Sequence, residues 1–170
     1  ELDLVDEARD YIARSQPGGA LGIDSAADGV GAELAALLSV KDAQARERGI
    51  ALSVDATGTV PSEMSADLIT VVGNLVDNAF DACGAEDRVG VVIAAGAVAV
   101  AVTVDDTGPG VPEHLNEKIF DEGVSTKGST ARARGIGLAL VRRVVRRRRG
   151  SVVLSASPSG GARFTVTLPI

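Results

Sequence analysis

The sequence predicts an α/β fold, and three observations carry that expectation. Apolar residues recur at helical spacing in four long stretches. Between them lie segments in which β-branched and polar residues alternate. Near the C-terminal end, a Pro158-Ser-Gly-Gly161 turn separates two more alternating runs.

Taken in order, Leu2 to Arg14 sets Leu4, Val5, Ala8, Tyr11 and Ile12 on one helical face, and Gln16-Pro-Gly-Gly19 ends that helix. A second helical pattern starts at Asp24, is interrupted by Gly29 and Gly31, strengthens through Ala35, Leu37, Leu38, Val40 and Ala43, and stops at Gly49. Ile50 to Asp55 alternates as a short half-buried strand, and a polar turn follows from Thr57 to Ser62. Asp67 to Cys83 is helical. At 100° per residue, Asp67, Thr70, Asp77, Asn78 and Asp81 fall within roughly 60° of Asn74, while Leu68, Ile69, Val72, Leu75, Val76, Ala79 and Phe80 take the other side. One face of this helix is therefore a stripe of amides and carboxylates.

Val89 to Val104 reads as two strands joined near Gly96, the second running out into Asp105-Asp-Thr-Gly-Pro-Gly110. Pro112 to Phe120 is expected to form a short helix with proline in its first turn, and Asp121 to Arg132, which lacks an apolar period, a loop. Gly135 to Arg149 returns to helix, and Ser151 to Ser155 and Arg163 to Leu168 close the fold as strands.

Composition narrows the function classes. With 170 residues, 45% apolar and 24% charged side chains, the chain can bury roughly 70% of its unfolded surface without staples. Cys83 is the single cysteine, which excludes an internal disulfide framework and a multi-cysteine zinc site and fits a reducing cytoplasm. The longest uncharged run, Val89 to Val104, is shorter than the ~18 residues a spanning helix needs. The chain opens at Glu1 without an initiator Met or a targeting pattern, so it is expected to be a piece of something longer. Residues 1–120 carry 21 acids against 7 bases, and residues 121–170 carry 2 acids against 10 bases. Such a basic block suits nucleic acid or a smaller ligand dense in phosphate, and composition leaves both open.

No G-x-x-x-x-G-K-[ST] is present, and neither Gly108-Pro-Gly110 nor Gly135-Ile-Gly137 completes a G-x-G-x-x-G, which removes the P-loop and Rossmann readings. What remains is an ordered set: Asn74-Leu-x-x-Asn78-Ala, then Asp106-x-Gly108-x-Gly110, then Phe120 with Ser125-Thr126-Lys127, then Gly135-x-Gly137-Leu138. This set resembles the ATP-binding domain of sensor histidine kinases, in the superfamily shared with gyrase, the heat-shock ATPase chaperone and a mismatch-repair ATPase. Residues 50–170 carry the likeness. Leu2 to Ile12 and Ala35 to Ile50 further resemble the linking region of the citrate and four-carbon dicarboxylate sensor kinases, where that stretch follows the phosphoacceptor helix.

The resemblance implies a two-layer α/β sandwich, a mixed and mostly antiparallel sheet covered on one face by helices, preceded by a truncated helical dimerisation region. By that likeness residues 1–48 are the remainder of the dimerisation region and residues 49–170 the ATP-binding kinase domain. It assigns Mg²⁺ to Asn78, whose neutral carbonyl oxygen is a hard ligand suited to a metal also held by phosphates, with Asn74 one turn earlier on the same face. It also implies ATP contacts at Asp81, Val111, Phe120, Thr126, Ile136 and Leu138. Asp106 offers a carboxylate that can accept from the adenine amino group, and Gly108 and Gly110 let the backbone approach the base. Gly135 and Gly137 are expected to precede a helix whose free N–H groups suit a triphosphate. Lys127 and Arg134 are expected to close over it, whereas Arg132 reads as a solvated charge.

The arginines at 142, 143 and 146–149 complement a helix C-terminus, and no aromatic residue is interleaved for base stacking, so nucleic acid is not expected. His114, the only histidine, does not resemble a phosphoacceptor. Three departures stand out: Arg163 where relatives often carry Thr or Ser, Arg149-Gly where they commonly have His-Gly, and Asp81 where many kinases place Lys.

The implied function is transfer of the ATP γ-phosphoryl group to a histidine on an upstream helix, with a cognate response regulator as partner and a homodimer in the full-length protein. The fragment itself is expected to be monomeric, in the cytoplasmic portion of a membrane-anchored sensor. Gyrase-like hydrolases carry a Glu base one turn before the metal Asn. Here Asn74 stands there, and an amide cannot take a proton from water at neutral pH. An anti-sigma-type serine kinase and a nucleotide-sensing module remain as alternatives.

Overall fold

The computed structural model describes residues 29–113, 118–120 and 131–170. The expected first helix, Leu2 to Arg14, and the residues Thr126 and Lys127 lie outside the described residues. Helix α1 (Ala32–Glu47) is entered at Gly31, φ 82°, and ends where Gly49 takes φ 69° and Ile50 N–H closes back on Ala45 O at 2.9 Å. Only glycine adopts that conformation without strain, so the predicted stop at Gly49 has its physical cause. Strand β1 (Ala51–Thr57) and a 3₁₀ turn (Ser62–Met64) lead into α2 (Ser65–Ala82). Strands β2 (Arg88–Ala95) and β3 (Ala99–Asp106), a 3₁₀ turn (Lys118–Phe120), α3 (Ala131–Arg148), β4 (Ser151–Ala156) and β5 (Ala162–Pro169) complete the order.

The five strands form one sheet in the order β1-β2-β3-β5-β4. β1 and β2, joined through α2, are parallel, and the other three pairings are antiparallel, as α-crossovers and hairpins require. Val54, Val91, Val104, Phe164 and Leu154 form a single row across all five strands. This row faces the helices. Strand alternation puts Asp106 on the same side and Asp105, Thr103, Arg163 and Thr165 on the opposite side. The core is continuous from α1 (Leu34, Leu38, Ala45) through α2 (Leu68, Val72, Leu75, Val76, Phe80) to α3 (Leu138, Val141, Val145) and the inner sheet face.

The structure differs from the sequence reading in three places. Helix α3 starts at Ala131, four residues before the expected Gly135. Ala131-Arg-Ala-Arg134 are among the strongest helix formers, and their propensity outweighs the cost of Gly135 and Gly137 inside the helix. Gly135 and Gly137 therefore do not precede the helix, and Ala131 and Arg132, expected in the loop, are helical. Of the expected helix from Pro112 to Phe120, residues 114–117 lie outside the described residues, and those on either side, Glu113 and Lys118–Phe120, are 3₁₀ and not α. Asp67, counted with the open polar stripe, is buried at 5% exposure. Its carboxylate takes Arg147 and Arg148, the latter through Nε at 2.6 Å, while Arg148 Nη2 donates to Glu63 O at 2.7 Å. Two members of the arginine block thus tie the start of α2 to the end of α3.

Candidate nucleotide site

At the C-terminal end of β3, Asp106 is 3% exposed. Its Oδ1 accepts from Gly108 N–H at 2.9 Å and from Ala162 N–H at 3.2 Å. Both bonds fall on Oδ1. The carboxyl is raised above its ordinary value chiefly because burial disfavours its charge, with the Asp105 and Asp87 charges adding and the two backbone bonds opposing.

This notch exists because two positions lack a side chain. A Cβ on Gly161 would fall 2.2 Å from Asp106 Oδ1, and one on Gly108 would fall 2.9 Å from Ala82 O and 3.1 Å from Asp106 Oδ1. Gly110 turns the chain with φ 74°. Beside the notch lies a cavity of about 380 Å³, with Pro109, Gly110 and Val111 on one wall and Leu154, Ala156 and Gly161 on the other. Phe120, 8% exposed, meets Phe164 edge to face at 6.0 Å between ring centres and closes the core below.

The polar stripe of α2 forms a second part of the site. Asn74 and Asn78 are half-buried, and Asp77 and Asp81 are exposed. Asn74 Nδ2 donates to Thr70 O at 2.7 Å, which directs Oδ1 toward α3. A Cβ on Gly137 would stand 2.8 Å from that oxygen, so this glycine permits the close approach of α3. Asn78 makes no side-chain hydrogen bond among the described residues, so its amide oxygen is uncommitted. Those residues contain no cluster of three or more acidic, His or Cys side chains able to hold a metal by themselves.

The expected site residues thus fall into two groups. Asp106, Gly108, Gly110 and Val111 gather at the notch and cavity, and Phe120 packs on Phe164 in the core; Asn74 meets Gly137 between α2 and α3, and Asn78 and Asp81 follow along the polar stripe of α2. Ile136 is 52% exposed, whereas Leu138 at 4% belongs to the core. The side chain of Arg134 lies outside the described residues, as do Thr126 and Lys127. Gly161 is the residue that sequence reading missed, having registered only as part of a turn. Arg163 faces the side of the sheet opposite the helices, where it holds Asp105 through two bonds of 2.6 and 2.7 Å. Cys83, at the end of α2, has its thiol pushed up, first by burial and then by the Asp106 and Asp87 charges, and it stays protonated.

A helix-covered mixed sheet with a buried Asp behind a glycine turn and a paired-asparagine helix defines an ATPase-type nucleotide-binding sandwich. The chain belongs to the family of histidine kinase-, DNA gyrase B- and HSP90-like ATPases, which it matches over residues 63–170. It is 34% identical to the sensor protein CitS of Halalkalibacterium halodurans, over 99% of this chain and 33% of that protein. Its identity to the sensor histidine kinase DcuS of Escherichia coli K12 is 35%, over 80% of this chain and 26% of that protein. The ATP-binding domain of PrrB from Mycobacterium tuberculosis superposes with a TM-score of 0.56 at 29% identity, over 79% of this chain and 91% of that domain. The chain spans a third or less of the two sensor proteins. No helix among the described residues is long and apolar enough to cross a membrane.

Proposed function

We propose that this chain is the ATP-binding catalytic part of a sensor histidine kinase and delivers the γ-phosphoryl group of ATP to a histidine on an upstream helix. The observation that carries the reading is the Asp106 notch, a buried carboxylate held by two backbone N–H groups behind Gly108 and Gly161, with Gly108 set against Ala82, one turn beyond Asn78 at the end of α2. The sensor proteins CitS and DcuS and the ATP-binding domain of PrrB support it.

In this reading Asp106 accepts from the adenine amino group, and Gly108, Gly110, Val111 and Phe120 shape the base pocket. Thr126, Lys127 and Arg134, with Gly135, Ile136, Gly137 and Leu138, attend the phosphates. Asn78 presents its free amide oxygen to Mg²⁺, which neutralises phosphate charge when bound with the nucleotide. Asp81 shares that face. Asn74, an amide tied to Thr70 O, holds the phosphate end in place and offers no base to activate water. The chemistry is then positioning and charge neutralisation, which is what phosphoryl transfer to an imidazole demands.

Residues 49–170 form the kinase unit, and residues 1–48 belong to the dimerisation region, with α1 packed against α2 and β1. The full-length protein is a membrane-anchored homodimer that passes the phosphoryl group to a response regulator in the cytoplasm. The isolated fragment is monomeric.

Incubation with γ-labelled ATP, alone and with a helical hairpin carrying the upstream histidine, tests this. Acid-labile label on the hairpin alone is the expected result. Acid-stable label on this chain would replace the reading with a serine or threonine kinase, and no label on either would leave a nucleotide-sensing module.

A further inference from the structure

Helix α1 precedes the family-matched residues 63–170, yet it sends two cations to the two carboxylates that bracket Asn78. Lys41 is 7% exposed, and its Nζ lies 2.5 Å from Asp77 Oδ1 and 3.3 Å from Gln44 Oε1. At the residue that caps the C-terminal end of α1, Arg48 Nη1 lies 3.7 Å from Asp81 Oδ1, and its guanidinium sits 5.6 Å from the centre of the Phe80 ring.

The Lys41–Asp77 pair is lopsided. The lysine has given up most of its hydration and needs a counter-charge, whereas the Asp77 side chain is 57% exposed and water could satisfy it. Apolar packing would serve a nearly buried α1 position at lower cost, so stability alone does not account for a lysine there. What Asp77 adjoins does. It directly precedes Asn78 and lies one turn after Asn74, on the face read above as receiving a triphosphate. An uncompensated carboxylate at that place repels a polyanion.

We propose that Lys41 is a positioning residue that cancels the Asp77 charge beside the nucleotide phosphates, so that α1 completes the electrostatics of a site built on α2. The inference rests on the nucleotide-site reading above. With Asp77 adjoining Asn78 on that face and an aqueous-to-interfacial dielectric, unmasking its charge weakens Mg·ATP binding roughly three- to tenfold at low salt.

Calorimetry on the intact chain with Mg·ATP and with AMP, at low and at moderate salt, provides the test. Lys41→Met should lose roughly three- to tenfold in Mg·ATP affinity at low salt, less at moderate salt, and less for AMP than for Mg·ATP. Lys41→Gln, which keeps a polar partner for Asp77, should show the same loss and serves if the methionine variant folds poorly. Lys41→Met/Asp77→Asn should return to within about twofold of wild type, because both charges are gone. An unchanged affinity in both single variants overturns the proposal. So does a loss that the double variant fails to restore, which would mark the pair as a mechanical tether, or an equal loss for AMP. If the wild-type chain binds no Mg·ATP, the site reading itself falls, and that outcome is separate from the others.

Discussion

Replacing Gly161 by alanine tests the notch at its tightest point. The added Cβ would fall 2.2 Å from Asp106 Oδ1, 2.3 Å from Asp106 O and 2.7 Å from its carbonyl carbon, inside the 3.0 Å limit that real Cβ contacts respect. Two of these atoms are backbone and Oδ1 is held by two backbone N–H groups, so the turn entering β5 must shift away from β3 by about an ångström. That shift breaks the Ala162 N–H bond to Asp106, 3.2 Å in the native arrangement. Overpacking costs about 1–3 kcal/mol, and a hydrogen bond to a charged group contributes about 1.5–3 kcal/mol. The two overlap, which leaves a destabilisation of about 2–5 kcal/mol. For a chain of this size that lowers Tm by about 5–15 °C, readable by scanning calorimetry. ATP affinity should fall at least about tenfold in the same variant, because the carboxylate loses the geometry that aims it at the base. Ser159→Ala, two residues earlier and exposed, should change neither quantity. A Gly161→Ala protein with Tm within about 1 °C and ATP affinity within about twofold of wild type would refute the notch as the adenine site.

Asn78→Ala should abolish the magnesium dependence of ATP affinity, and calorimetry with and without Mg²⁺ checks it. Asp106→Asn should cost more affinity for ATP than for GTP, since the amide can donate to a base oxygen where the carboxylate cannot, and equal losses would remove its role at the base. The same variant has a pH signature. Because burial raises the Asp106 carboxyl above its ordinary 3.8, the native state keeps a proton that the unfolded chain has already released. Wild-type stability therefore falls as pH climbs from that value through the raised one, and urea titrations should show the variant gaining on wild type across the window. A gap that stays constant with pH would contradict the shift. Asp67→Ala removes the carboxylate that ties Arg147 and Arg148 to the start of α2 and, since both guanidiniums still reach water, should destabilise by about 1–2 kcal/mol, with ATP affinity unchanged at a temperature where the variant is folded.

What could be read from the chain alone was whatever a single element contains. The asparagine stripe of α2 is set by its own period, and the run-out of β3 into Asp106-Thr-Gly-Pro-Gly110 by adjacent residues. Contacts made through the sheet were not legible. Ala162 reaches Asp106 across 56 positions, and nothing local to Pro158-Ser-Gly-Gly161 says which strand the turn will lie against. Arg163 stood out in the sequence as a departure near the phosphates. Strand parity turns its side chain to the face opposite the helices, where register hands it Asp105.

The misplaced start of α3 and the misread Asp67 share a cause. Glycine is a strong signal of a helix boundary, but it is weighed against its neighbours, and four helix-forming residues before Gly135 carry the helix through it. A helical wheel gives the angle of a residue and not its height. Asp67 shares the direction of Asn74 yet sits about 10 Å further down the axis, past the nucleotide face and level with the C-terminal turn of α3, where Arg147 and Arg148 bury it. The same stripe is therefore divided along the helix: ion pairs to α3 at its start and, from Asn74 onward, the amides of the proposed nucleotide site with carboxylates that α1 and its C-terminal end pair.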